Sequence, residues 1–284
     1  MMWKESYRLG VDLIDEQHFE LFKMVENLLN TFETDKNWDR KEDYIAAISF
    51  MKDYVVKHFQ EEEEYQASIQ YSNIENHINE HRNFTNTILD YEKKFIATNY
   101  DIKLVKEFAG TLVSWLIYHV VETDQRIVNG VHEAEEKSEK SYTECFSTGA
   151  SQVFERMFGI EEIEISEAPI LNHPISGDIF SKIEFVGDLN CEVIFSYPKE
   201  LAFQLMKIMT FMDTNEIDEI VCSAMAEVSN IISGNVTTAL LNQNCNCDIR
   251  PPVVTVGTYV GAMQNPRAIS IHTGIGTMEI VVSR

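Results

Sequence analysis

The chain has 284 residues, 44% of them hydrophobic, which is enough for two domains that each bury a core. It carries 23 basic against 46 acidic residues, a net charge of −23, and both halves share the excess: residues 1–140 hold 16 basic and 28 acidic, residues 141–284 hold 7 and 18. That balance argues against a nucleic-acid partner or an anionic membrane surface. No apolar run approaches the roughly 20 residues of a membrane span. The first residues, Met1 to Ser6, lack the apolar core of a secretory signal. Five cysteines without zinc-finger spacing fit a reducing cytoplasm.

From about Asp15 to about Gly130 the pattern is helical. Leu21, Phe22, Val25, Leu28 and Leu29 recur at three- and four-residue intervals, as do Ile45, Ile48, Met51 and Val55. Ile74, Ile78, Phe84, Ile88 and Tyr91 mark a third helix, and Leu104, Phe108, Leu112, Val113, Leu116 and Ile117 a fourth. No proline precedes Pro169, so nothing forces a break. Polar gaps near Thr34–Arg40, Gln66–Asn73 and Thr98–Asp101 suit turns between antiparallel neighbours. The prediction is an all-α four-helix bundle.

All four helices carry ionisable residues: His18 on the first, His58 and Glu62 on the second, His77 and His81 on the third, His119 and then Asp124 on the fourth. A spacing of four puts His58 with Glu62, and His77 with His81, on one helix face. A lone histidine is ordinarily a surface or hydrogen-bonded side chain. Glu62, inside the run Glu61–Glu64, reads by default as part of a solvated face, and Glu63 is expected to be dispensable. Five imidazoles and two carboxylates meeting in one core are another matter, because without a metal many of them would be buried unpaired. Asp124 is awkward. Five residues is about 140° off-face on a regular helix. A local widening of the helix or its fraying end would correct this.

These stretches, W-x6-G from Trp3 to Gly10, D-x-Q-H from Asp15 to His18, H-x3-E, H-x3-H and H-x4-D, resemble the hemerythrin family, specifically the bacterial hemerythrins, over residues 1–132. The resemblance implies two non-haem iron ions in a bridged di-iron centre with O2 as ligand. His77, His81 and His119 would hold one iron, His18 and His58 the other, and Glu62 and Asp124 would bridge them. Leu116, one turn before His119, would wall the O2 pocket as a leucine does in the family; ordinary bundle core is the alternative reading. His132, beyond the motif, reads as solvated.

Residues 133–142 have strong helix formers and almost no apolar residue, as expected of a stiff helical linker. Beyond it the texture changes. A helix ends at Gly159, and alternation at Ile163–Ile165, Ile179–Val186 and Cys191–Phe195 predicts strands. Pro198 opens a helix to Phe211, and a long helix runs from about Glu216 to Leu241. Strands are expected at Val253–Val256, Arg267–His272 and Met278–Val282. Residues 143–284 thus predict an α+β domain with a largely antiparallel sheet and helices packed on one face.

The long helix carries an apolar stripe through Val221, Met225, Val228 and Ile232. Its opposite face holds Ser223, Glu227, Asn230 and Gly234. Glu227 and Asn230, three apart, are neighbours on that face. The bland reading is an ordinary polar helix face. The run F-E-R-M-F-G, then I-S-G-D, then this E-x2-N helix followed by Pro251 and Pro252, looks like the CheC and CheX chemotaxis phosphatases. That resemblance implies removal of an aspartyl-phosphate from a CheY-like response regulator. Glu227 would anchor the partner's lysine, Asn230 would position the attacking water, and the regulator would supply Mg2+. Glu155 is followed by Phe158 where an asparagine would stand, so one such site is expected, closer to CheX, whose relatives pair by joining sheet edges. Cys245 and Cys247 read as loop or sheet cysteines, and His173 and His272 receive no role.

The whole reads as a cytoplasmic oxygen- or redox-sensing protein that dephosphorylates a response regulator. The alternatives are an inert docking or dimerisation domain on an O2-binding bundle, and a bundle that stores or scavenges O2 by itself.

Overall fold

The structure, a computed structural model, describes residues 2–34, 41–129, 141–169, 175, 177–259 and 266–283. It divides into two compact units, Met1–Glu133 and Ala134–Arg284.

In the first unit α1 (Asp12–Thr34), α2 (Lys41–Ser68), α3 (Ile74–Ala97) and α4 (Ile102–Tyr118) form the bundle, and each helix packs on two others. Val25, Val105, Val113 and Phe22 are fully buried on the inward faces. Burying each such side chain is worth roughly 1.5–3 kcal/mol. The segment before α1 is tied down by Asp15, whose carboxylate accepts from Leu9 N at 2.7 Å and Gly10 N at 3.0 Å. Gly10 turns there at φ +83°, a left-handed conformation that disfavours a side chain. Trp3 packs edge-on to Phe22, with centroids 5.6 Å apart. The short α5 (Gln125–Asn129) continues α4 through a π-helical turn at His119–Thr123.

Ile102–Val128 is long and apolar enough to cross a membrane, with a mean hydropathy of 1.3 over its best window. This differs from the expectation of no such run. The apolarity has a local cause, because Val105, Ala109, Leu112, Val113, Leu116 and Val120 are all buried inside the bundle.

In the second unit α6 (Tyr142–Phe158) opens with a capping box, in which Ser141 Oγ accepts from Glu144 N and Glu144 reaches back to Ser141 N. It ends at Gly159 in the left-handed region, φ +68°, where Gly159 N bonds Glu155 O and Ile160 N bonds Phe154 O. Seven strands follow: β1 (Ile163–Pro169), β2 (Ile179–Gly187), β3 (Cys191–Tyr197), β4 (Cys247–Ile249), β5 (Val253–Val256), β6 (Arg267–Thr273) and β7 (Gly276–Ser283). Their order is β1-β6-β7-β3-β2-β4, with β5 also on β2, and every pairing is antiparallel. The helices α7 (Lys199–Thr210) and α8 (Glu219–Leu241) pack with α6 on the sheet. Gly149 lets α6 approach α8, since a Cβ there would stand 3.3 Å from Ile232 O. On the other face a small cluster of Ile175, Phe180, Ile194, Ala268 and Val281 is joined by Tyr259.

α8 starts at Glu219 rather than near Glu216, because Asp218 caps it by accepting from Ile220 N and Val221 N. β4 was not foreseen. The linker, apart from Ser141 and Tyr142, and His132 and His173 lie outside the described residues.

Candidate functional site

The four-residue spacings do what helical geometry requires. His58 and Glu62 on α2, and His77 and His81 on α3, all point into the bundle and are at most 2% exposed. His18 on α1 joins them at 0% and His119 at 2%. Asp124 joins them because the backbone loosens. Residues His119–Thr123 are π-helical, and Asp124 N bonds His119 O, five residues back, at 2.9 Å. The wider turn brings a residue at spacing five onto the face of His119. Of the two corrections open to the sequence, the widened helix is the one present.

The seven side chains form two groups. His77 Nε2 stands 3.1 Å from His81 Nε2, which stands 2.9 Å from His119 Nε2. His18 Nε2 and His58 Nε2 are 3.1 Å apart. The two carboxylates face both groups. Glu62 lies 3.1 Å from His77 and 3.5 Å from His58. Asp124 turns Oδ1 to His119 at 3.0 Å and Oδ2 to His18 at 3.2 Å. Donors in neighbouring positions around one ion at about 2.1 Å stand about 3.0 Å apart, so these spacings suit two cations sharing two carboxylates.

Charge and satisfaction agree with that fit. Glu62 Oε2 and both Asp124 oxygens are buried without an aligned hydrogen-bond partner. Nitrogens crowding nitrogens leave imidazoles with more acceptors than protons. Burial pushes the His58 imidazole down to about 3, reinforced by His18, and burial lowers His119 as well. Burial alone would raise Glu62, but hydrogen bonds from His77 and His81 hold its carboxyl well below the usual range. Burial and the Glu62 charge would raise Asp124, but His119 and His18 hold it below its ordinary value. The set is therefore two carboxylates held ionised among five imidazoles, of which His58 and His119 are kept neutral by burial, the donor chemistry of a divalent or trivalent transition metal. His81 is the exception. Burial lowers it, yet Glu62 and Glu63 carry it up to about 9, so a cation at its Nε2 would stand where a proton does.

Behind the donors stands a shell that spacing did not reveal. His58 Nδ1 donates to Gln17 Oε1 at 2.9 Å, and Gln17 Nε2 donates in turn to Glu61. His81 Nδ1 donates to Glu63 Oε1 at 2.9 Å. Gln66 Nε2 donates to Glu62 Oε1 at 2.9 Å. Glu80 accepts from Thr123 Oγ1 at 2.9 Å and lies 3.8 Å from His119 Nδ1. The expectation that Glu63 is dispensable is corrected, since it orients a histidine of the cluster. Four consecutive glutamates wrap the helix at about 100° each. Only packing tells which of them turn inward.

Leu116 is buried and lines a small internal cavity of about 10 Å³ that also touches His58 and His119.

On α8, Val221, Ala224, Met225, Val228 and Ile232 are buried, as an apolar stripe requires. Glu227 and Asn230 are half-buried neighbours, and Asn230 hydrogen-bonds the Glu227 carboxyl. Burial pushes that carboxyl up to about 7, against the pull of Asn230. Ser229 beside them is fixed from below by the buried Tyr197 hydroxyl on β3, 2.9 Å away. The face is less open than expected. Ser223 is buried and donates to Glu219 O at 2.7 Å, because α6 and α7 crowd this helix. On α6, Glu155 is exposed and Phe158 is buried, so that helix presents no second carboxylate–amide pair. Cys245 and Cys247 are free thiols, and burial pushes Cys247 up to about 11. His272 is held by Ser166 and Thr277, both at 3.0 Å.

The sequence model described as Hemerythrin HHE cation binding domain matches residues 9–129, and that described as Chemotaxis phosphatase CheX matches residues 179–272. A bacteriohemerythrin of Clostridium acetobutylicum is 34% identical over 132 residues, which is 45% of this chain and 98% of that protein. The CheY-P phosphatase CheX of Thermotoga maritima is 26% identical over 102 residues, 36% of this chain and 66% of that one. Among solved structures, a CheX–CheY–BeF3–Mg2+ complex from Borrelia burgdorferi aligns at TM-score 0.44 and 24% identity, over 50% of this chain and 97% of that one.

Proposed function

Because the chain belongs to the hemerythrin family over its first half and carries a CheX domain in its second, we propose that it senses oxygen or redox state and dephosphorylates a CheY-like response regulator accordingly. The hemerythrin domain implies a non-haem iron centre. The reading here is two irons, with His77, His81 and His119 around one, His18 and His58 around the other, and Glu62 and Asp124 between. The observation that carries it is that each carboxylate faces both histidine groups, Asp124 with one oxygen to each. When bound, the iron pair supplies reversible O2 binding and one-electron chemistry. The protein's own part is to hold five imidazoles oriented, to keep the carboxylates ionised, and to exclude water with the apolar wall at Leu116.

In the second domain Asn230 orients a water for attack on the partner's aspartyl-phosphate, and Glu227 anchors the partner's lysine. Positioning then supplies most of the catalysis, with Mg2+ brought by the regulator. The domain also pairs with a second copy through the edge of β1, whose pairing among the described residues is to β6 alone. The protein acts in the cytoplasm. One observation favours an inert docking domain instead, the half-burial of Glu227 and Asn230. Turnover of a phosphorylated regulator by the purified chain tests this. Release of phosphate that Asn230→Ala abolishes supports the phosphatase, and no release supports the adaptor. Metal analysis of protein from its native host tests the bundle. Two irons with azide-sensitive near-ultraviolet absorption are expected, and a zinc site or one metal per chain overturns the di-iron reading.

A further inference from the structure

The cavity beside His58 and His119 has a neighbour. Between α1 and α2 a surface groove of about 230 Å³ has an apolar side of Met24, Leu28, Ala47 and Phe50 and a polar rim of Asn27, Thr31 and Asp43, and Met51 lines it too. The inner cavity, about 10 Å³, runs from Met51 past Val55 and Leu116 to the two histidines. Met51 lines both spaces, and no other described residue does. It is 3% exposed and stands between the two spaces that it lines.

The chemistry of the inner lining says what could pass. Around the histidines the inner cavity is walled by Leu21, Val25, Val55, Leu112 and Leu116, all at most 4% exposed. A cavity at the lower limit for one water and with apolar walls stays dry, and it admits a small apolar guest as the side chains around it give. An ion would have to shed its hydration with nothing to replace it. Methionine at the boundary also matters. Its unbranched side chain has three rotatable bonds and re-packs at little cost, which a β-branched or aromatic residue there would not do. Ile48 and Val55, its neighbours one turn to either side on α2, are stiff at χ1 and buried.

We infer that the α1–α2 groove is the mouth of a path for small neutral diatomic molecules to the histidine cluster, and that Met51 is its gate. The inference deepens the oxygen-sensing reading and rests on it for the identity of the physiological guest. The route itself stands on the two spaces and the residue they share. Met51 is not one of the seven candidate ligands, so it acts on passage. It should change the rates of arrival and escape together and leave the affinity alone.

The test uses the iron-loaded full chain, with nitric oxide as a neutral probe that needs only a ferrous ion with a free position, and xenon as a probe that needs no iron. Met51→Phe should slow nitric oxide association and dissociation by roughly tenfold each, and Met51→Ala should speed both, within the span seen for on-rates among variants of one site. The dissociation constant and the absorption spectrum should not move. Met51→Leu, which conserves volume, covers the case in which Met51→Ala does not fold, and it should slow both rates modestly. In xenon-pressurised crystals, density should fill the space between Met51 and His58 in the parent chain and be lost in Met51→Phe. Unchanged rates in Met51→Phe, or xenon reaching the histidines in that variant as in the parent, would overturn the gate. A chain that fails to bind O2, but whose nitric oxide rates and xenon site follow Met51, would refute oxygen sensing and leave the path intact.

Discussion

Asp124 N donates to His119 O at 2.9 Å across five residues, and this one bond turns a carboxylate into a bundle already crowded with histidines. Regular α-helix would aim Asp124 about 140° away from His119. The π-helical turn at His119–Thr123 absorbs that angle.

An asymmetry between deletion and insertion follows. Deleting Val121, half-buried in the turn, leaves His119 and Asp124 four apart, the natural spacing of a plain α-helix. That variant should keep its iron. Inserting one alanine after Val121 turns Asp124 a further ~100° away and should cut bound iron from two per chain to one or none. Metal content by elemental analysis reads both. Equal iron in the two variants would mean that Asp124 is not a ligand.

Glu63 provides a second test. Its carboxylate accepts from His81 Nδ1 at 2.9 Å, whereas His58 Nδ1 meets the neutral amide of Gln17 at the same distance. A carboxylate behind an imidazole makes it a stronger donor, and losing such a partner commonly costs about 10- to 100-fold in metal affinity. Glu63→Gln keeps the acceptor and removes the charge. It should raise the midpoint potential of the centre, measured by redox titration of the near-ultraviolet bands, while Glu64→Gln, at a position that accepts from Gln60, should not.

How much of this was legible can be judged from particular residues. The seven clustered side chains could be picked from the sequence because metal chemistry restricts the residue types and helical spacing restricts the positions. The bond that seats Asp124 was legible only as one of two alternatives, a widened helix or a frayed end, because a shift from four- to five-residue bonding leaves no mark on apolar periodicity. The inward turn of Glu63 is not legible because in Glu61–Glu64 identical residues face every direction of the helix. The burial of Ser223 is not legible because the stripe opposite an apolar stripe is usually solvated, whereas α8 is flanked by α6 and α7 as well as the sheet. The short β4, only Cys247–Ile249, carries too few residues for alternation to register.

A pH dependence of the second domain is expected from Glu227, whose carboxyl burial raises from 4.5 to about 7. A carboxyl raised on folding favours the folded state fully below its unfolded value, and that contribution is lost as pH rises through about 7. Docking to a lysine needs the ionised form, so phosphatase activity should rise across the same interval in which stability falls. Glu227→Gln should flatten both profiles, as read by phosphate release and by thermal unfolding from pH 5 to 8.

Asn230 and Glu227 should also separate kinetically. An interaction made chiefly in the transition state shows in the rate, so Asn230→Ala should lower kcat by roughly 10²-fold with partner affinity little changed. A contact made in ground and transition states alike shows in binding, so Glu227→Ala should mainly raise KM, and added salt should mimic part of that effect. Ser223→Ala is not a neutral control, since Ser223 is buried and its hydroxyl donates to Glu219 O. Glu155→Ala, exposed on α6, serves instead. Wild-type turnover by Asn230→Ala would mean that Asn230 does not position the attacking water.

The account as a whole turns on whether the state of the bundle reaches the phosphatase. A ligand or electron shifts a distant site only through different interactions in the two states. The direct measurement is phosphate release from a phosphorylated CheY-like regulator by one preparation of the full chain, assayed with its iron fully reduced without O2, reduced and then exposed to O2, and fully oxidised. The account predicts that the rate differs between these states and that the differences vanish in Glu62→Ala, where the carboxylate shared by both histidine groups is gone. Identical rates in all three states, with two irons bound and Asn230 active, would contradict it.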